Sequence, residues 1–165
     1  MNKKLLFVFL ILTIASCGYH FSGGGSLPSG IKKADVGIFE NRTGFSRIDS
    51  CLRDEFIREF SRYNILASNQ NAQGFIKGEI LNMSVSNPVK SSSGGSYERR
   101  ISIVLNVTFE DLNGEVLFKR NNFRENYVFE TNSDDSYSFG VPYDAMSELC
   151  LKISRRIMME LTSDF

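Results

Sequence analysis

The sequence predicts an α+β fold, a two-layer sandwich in which a four-stranded mixed sheet carries two helices packed on one face, in the order β-α-β-β-β-α. Three patterns predict it. In residues 101–109, Ile101, Ile103, Leu105, Val107 and Phe109 alternate with Ser102, Val104, Asn106 and Thr108. That is the period of a strand with one buried and one mostly polar face. Two other segments repeat their apolar residues at helical spacing, each with charge on the opposite side. The chain of 165 residues, 42% hydrophobic and 23% charged, has the composition of one globular domain. Wholesale disorder, a coiled-coil rod and a multiply spanning membrane protein are excluded.

The first strand is read over residues 34–39, with Val36 and Ile38 on one face. Glu40-Asn41-Arg42-Thr43-Gly44 ends it, and Ser46 stands where an N-cap is needed for a helix over 47–61. Ile48, Cys51, Leu52, Phe56 and Phe60 form that helix's apolar stripe, and Asp49 suits the dipole of its first turn. A second strand follows at 74–86, and the polar, Gly-rich segment 88–96 is a loop. The strand over 101–109 is third. Asp111-Leu112-Asn113-Gly114 turns it into a fourth strand that begins at Glu115 and bulges near Asn121-Asn122. Pro142 marks the first turn of a terminal helix over 142–162, whose stripe includes Ala145, Leu149, Cys150, Ile153, Ile157 and Leu161. The crossover makes strands one and two parallel. The outer sheet face stays partly polar and open to a partner.

The N-terminus is a targeting segment. Lys3 and Lys4 precede the apolar run Leu5 to Leu12, which is too short to span a bilayer and reads as a secretory h-region. Ile14-Ala15-Ser16-Cys17 then has the pattern of a bacterial lipobox. Residues 1–16 are thus expected to be a signal peptide, 17–30 a lipidated flexible tether, and 31–165 a single α+β domain. Cys17 would carry a covalent diacylglycerol and an N-acyl chain, enough hydrophobic anchorage for stable membrane attachment. Cleavage removes two lysines, leaving 17 basic against 19 acidic residues, a net charge of −2. Gly18 in place of an Asp favours the outer membrane.

Chemistry is sparse. The single histidine, His20, lies on the tether, and Gly23-Gly24-Gly25 lacks the strand and helix that a phosphate loop requires. Asp134-Asp135 has no further oxygen ligands nearby in sequence to cage a cation. No nucleophile–base arrangement is present, so the reading is not an enzyme, without metal or cofactor. The whole chain's net charge of zero argues against nucleic-acid binding. Cys51 and Cys150 sit on the apolar faces of two helices that cover one sheet. A disulfide between them and a pair of buried thiols both fit, since spacing does not fix the separation of their Cα atoms. Basic residues collect beside the Ser/Gly loop (Lys90, Arg99, Arg100) and along the fourth strand (Lys119, Arg120, Arg124). Solvation explains such a set, and so does a site for phosphorylated sugars.

Several segments in order carry a resemblance. Cys17-Gly18-Tyr19-His20-Phe21 follows the lipobox, then come Val36-Gly37-Ile38-Phe39-Glu40-Asn41-Arg42-Thr43 and Leu52-Arg53-Asp54-Glu55-Phe56. Gly78-Glu79-Ile80, Gly114-Glu115-Val116-Leu117-Phe118 and Glu125-Asn126-Tyr127 continue the series. Together they resemble the LptE family of lipopolysaccharide-assembly lipoproteins over nearly all of the mature chain. The resemblance implies a lipid-anchored protein on the periplasmic face of the outer membrane. Such a protein plugs a large β-barrel of LptD type, assists its assembly, and binds lipopolysaccharide for delivery to the outer leaflet. Loop 87–100 would then enter the barrel, and Lys90, Arg99, Arg100, Lys119 and Arg120 become candidates for lipopolysaccharide phosphates. The alternative is a lipoprotein activator of a peptidoglycan synthase, or a related secretion lipoprotein. The short tether tells against it, because reaching across the periplasm calls for a long linker.

Overall fold

Mixed strand and helix signals in the sequence resolve into five strands and two helices in the computed structural model, which describes residues 27–67, 70–92, 95–131 and 140–163. The lipobox with Cys17, His20, the triple glycine and Asp134-Asp135 lie outside those residues. In order come β1 (Asp35–Asn41), α1 (Ile48–Arg62), β2 (Gly74–Val85), β3 (Val89–Lys90), β4 (Tyr97–Asp111), β5 (Val116–Thr131) and α2 (Tyr143–Ser163). β1 pairs parallel to β2 across the helical crossover, β2 pairs antiparallel to β4, and β4 pairs antiparallel to β5. The sheet has five strands rather than four. Val89 and Lys90, expected in a loop, pair with Glu98 and Tyr97 and continue the β2 side of β4, which itself starts at Tyr97.

The helices cover one face. α1 packs on β1, α2 on β5, and the two pack on each other. Their buried stripes, Leu52, Phe56 and Phe60 from α1 with Leu149, Ile153, Ile157 and Leu161 from α2, meet Ile76, Ile80, Ile101, Ile103, Leu105 and Phe109 of the sheet. Each such side chain withdrawn from water contributes about 1.5–3 kcal/mol, which is why the stripe and not intrinsic propensity holds these helices. Cys51 is bonded to Cys150, with Cα atoms 6.2 Å apart, and Glu59 of α1 reaches Arg155 of α2. These two links show the helices running side by side in the same direction.

The sheet therefore has two distinct ends. At one, β1 finishes, both helices begin, and the β2–β4 connection crosses. At the other lie the chain's entry into the fold, the β4–β5 turn, and the helix C-termini.

Three local expectations are corrected. First, the tether ends before residue 30: Leu27 is only 1% exposed, Pro28 is buried, and Pro28–Gly30 forms a 3₁₀ turn. An apolar side chain there had a core position to fill. Second, Val36 and Ile38 do not share a face. A bulge between Val36 and Phe39 inserts a residue, so Phe39 takes the inward position and Ile38 is 81% exposed. Third, Ser46 is not the N-cap. Arg47 occupies that position in a left-handed conformation (φ 70°), and its carbonyl accepts from the N–H of Cys51 at 2.9 Å. The bulge expected at Asn121-Asn122 is present, facing Asn106, whose Oδ1 accepts the N–H of Asn122 at 2.9 Å.

Candidate functional site

The turn after β1 is built by its own side chains. Asn41 Oδ1 accepts from the backbone N–H of Thr43 at 2.9 Å and from its hydroxyl at 2.7 Å, while Asn41 Nδ2 donates to the carbonyl of Phe45 at 2.7 Å. Arg42 donates its backbone N–H to Ile80 O at 3.1 Å and its guanidinium to Glu79 at 2.6 Å. Glu79 also accepts from Asn106 Nδ2 at 3.1 Å. The hydrogen bond and charge of Glu40, with the charge of Glu79, hold the Arg42 guanidinium above its ordinary pKa. The Asn-Arg-Thr segment is thus a scaffold element: it closes the turn and fastens β1 to β2, which brings α1 back over the sheet.

The five basic candidates are not brought together. Arg99 is 7% exposed, and its Nε donates to the carbonyl of Ser86 at 3.1 Å, so it stitches β4 to the end of β2. Arg120 is ion-paired with Glu160 of α2 at 3.1 Å, on the helix side of the sheet. Arg100 and Lys119 are exposed and share the open face, registered opposite Val128 and Thr108 respectively. Arg100 and Thr108, the partner of Lys119, are eight positions apart on β4, about 27 Å of strand. Lys90 is exposed on β3, opposite Tyr97, on the side of β4 that carries Arg99. Among the described residues, Lys90, Arg100, Lys119 and Arg124 form no salt bridge. The open face thus presents a line of unpaired cations, Arg100, Arg124 and Lys119, along the β4–β5 pair. It also carries Val104, Ser102 and Asn126, and the ion pair Lys77–Glu110 at 2.5 Å.

Sequence reasoning missed three buried acids, Glu55, Glu59 and Glu125. Glu125 lies inward on β5 and holds Lys152 at 3.0 Å and Arg156 at 2.5 Å, and Arg156 also stacks over Phe123. Burial works to raise its pKa, but the backbone N–H of Asn126 and the two α2 cations outweigh that and lower it. Glu59 is buried between Arg62 and Arg155. Glu59 and Glu125 fasten α2 to α1 and to β5, and Glu55 pairs with Arg58 within α1. Among the described residues no group of three or more His, Cys, Asp or Glu side chains could hold a metal ion, and no helix is long and apolar enough to cross a membrane.

A family model described as lipopolysaccharide-assembly, LptE, matches residues 31–161. No curated protein matches. Among solved structures, the fold resembles that of an uncharacterized lipoprotein B from Nitrosomonas europaea, at 11% identity and a TM-score of 0.51, over 88% of this chain and 91% of that one. A minor lipoprotein from Acinetobacter baumannii is 12% identical, with a TM-score of 0.45, over 79% and 94%. The rare lipoprotein B from Shewanella oneidensis is 13% identical, with a TM-score of 0.39, over 78% and 94%.

Proposed function

The chain belongs to the LptE family of lipopolysaccharide-assembly lipoproteins, and from that premise we propose that it is the lipoprotein subunit of a lipopolysaccharide translocon. In this reading it is held by acyl chains on Cys17 at the periplasmic face of the outer membrane. It sits in the lumen of an LptD-type β-barrel and assists its assembly, and it binds lipopolysaccharide on the way to the outer leaflet. Its role is structural and binding rather than catalytic. The single observation that carries the reading is the family match, which spans the whole described fold from the first strand to the last turn of α2.

The geometry supports a scaffold role. Among the described residues, the helices cover one face of the sheet only, and the other face carries Arg100, Arg124 and Lys119 without a salt bridge. Phosphate groups of a glycolipid are suitable counter-charges for them. Arg100, at the end of the sheet where the β2–β4 connection lies, is the open-face residue best placed to meet them, with Arg124 and Lys119 further along the same face, while Lys90 lies at that end on the Arg99 side of the sheet. Arg99 and Arg120 hold the fold.

The test is co-purification. A C-terminally tagged chain, extracted from native membranes in mild detergent, is expected to bring down a large outer-membrane β-barrel in near-equal amount. A peptidoglycan synthase in its place overturns the reading. With Cys17→Ala, the folded domain should leave the membrane fraction once the barrel is depleted, and continued full partition with membranes would contradict the lipid anchor.

A further inference from the structure

β5 is an edge of the sheet: it pairs with β4 on one side, and among the described residues no strand pairs on the other. The pairing of β4 fixes which groups of β5 face outward. Arg100 O accepts from the N–H of Ser86 at 2.8 Å, so the polar groups of Arg100 face β2, and its partner Val128 turns its own away from β4. Arg124, Asn126 and Glu130, in the same register, share that direction. A strand of sixteen residues with such an edge is a template for a further strand. At Asn126 the edge is already occupied. Its N–H donates to Glu125 Oε1 at 3.0 Å, and its carbonyl accepts from Lys152 Nζ at 3.1 Å. An incoming strand would place its own carbonyl oxygen and amide nitrogen at those two positions. The opposite edge is closed in a similar manner. On β1 the N–H of Val36 is taken by Asp35 Oδ1 at 2.7 Å, and just before it Ala34 bonds to Ile65 O at 2.8 Å and to the N–H of Ala67 at 2.9 Å.

We propose that Glu125 and Lys152 form a guard on the β5 edge that prevents the addition of another β-strand. Glu125 is buried, and its carboxylate is held by Lys152 at 3.0 Å and Arg156 at 2.5 Å, so both guarding groups are fixed by α2 and do not swing freely from the edge. Without them the edge is self-complementary. β5 laid antiparallel on a second strand of its own sequence places Arg124 opposite Glu130 and Asn126 opposite Val128, each pair with outward backbone groups facing one another. In the lumen of a barrel whose assembly the domain assists, unpaired strands are its neighbours, and a capped edge keeps the domain from being drawn into their sheet. The guard itself stands on the sheet geometry alone, so it does not fall if the barrel reading falls.

The probe is a fluorescein-labelled peptide with the sequence of residues 122–131, added to the full chain in detergent micelles and followed by fluorescence anisotropy. The variant combines Glu125→Met with Lys152→Met, so that both guarding groups are replaced by apolar side chains of similar length and neither is left without the other. It should bind the peptide about tenfold more tightly than the parent does, through the backbone groups set free at the edge. Equal binding by parent and folded variant overturns the guard. Amide hydrogen exchange of the parent decides the matter whether or not the variant folds. Corrected for sequence, the Asn126 amide should exchange about tenfold more slowly than those of Arg124 and Val128, which lie on the same edge. A common rate for all three amides overturns the guard as well.

Discussion

The ring of Phe39 lies directly over the backbone of Gly78, so that a methyl group at residue 78 would overlap Cδ1 and Cε1 of the ring. On its other side the ring stacks on Phe56 of α1 at 5.2 Å between centroids. Glycine is required here for close approach, since β1, β2 and α1 meet around a single ring with no room to yield.

Gly78→Ala should therefore destabilise the fold by about 1–3 kcal/mol through overpacking. Urea unfolding followed by circular dichroism measures it. Combining it with Phe39→Leu should recover part of the loss, because the smaller side chain vacates the space. Additive losses would show that the strain arises elsewhere.

The same bulge that turns Phe39 inward marks the limit of sequence reasoning. Residue alternation assigned Val36 and Ile38 to the core, and only the cross-strand register to β2 moves the inward position to Phe39. The strand over 101–109 and both helix stripes were legible because their patterns are local and long. The Asn121-Asn122 bulge was legible because two adjacent asparagines interrupt an apolar strand, and Asn122 tolerates φ 50°. Glu125 was not legible, because its partners Lys152 and Arg156 are more than twenty-five residues away. The candidate site was legible only as composition. Arg99 and Arg100 are neighbours in sequence and opposites in the sheet, one tied to Ser86 and one open to solvent.

The carboxylate of Glu125 should give stability a pH dependence of defined sign. Its folded pKa is lowered, so its contribution is complete above the unfolded carboxylate value, about 4.3, and is lost as pH falls through the lower folded value. Glu125→Gln should cost about 1–2 kcal/mol at neutral pH, since both cations remain half-exposed and can be solvated by water. Thermal unfolding of parent and variant across acidic pH should show the gap closing as the pH falls. A constant gap would mean that packing, not charge, is what the substitution removes.

The Cys51–Cys150 link joins residues 99 positions apart across the two helices. Closing so long a loop restrains the unfolded chain, and replacing both residues by Ala should lower stability by about 2–4 kcal/mol in oxidised protein. Denatured, unreduced lipoprotein should react with no thiol reagent, and reduction should release two thiols. Two reactive thiols before reduction would show that the pair is unbonded in the cell envelope.

Testing the cationic face requires leaving Arg99 and Arg120 in place, since the first anchors to Ser86 and the second to Glu160. Lys90, Arg100 and Lys119 are exposed and carry no salt bridge among the described residues, so their joint replacement by Ser should leave the unfolding midpoint nearly unchanged. Binding of lipopolysaccharide, followed by fluorescence with a labelled glycolipid, should weaken about tenfold and lose most of its salt dependence. Replacing Arg99 alone should produce the opposite pattern, a lowered midpoint from the orphaned Ser86 carbonyl with intact binding in the fraction that stays folded. If the triple variant binds as the parent does, Lys90, Arg100 and Lys119 serve solvation, and the glycolipid is met by other residues of the fold.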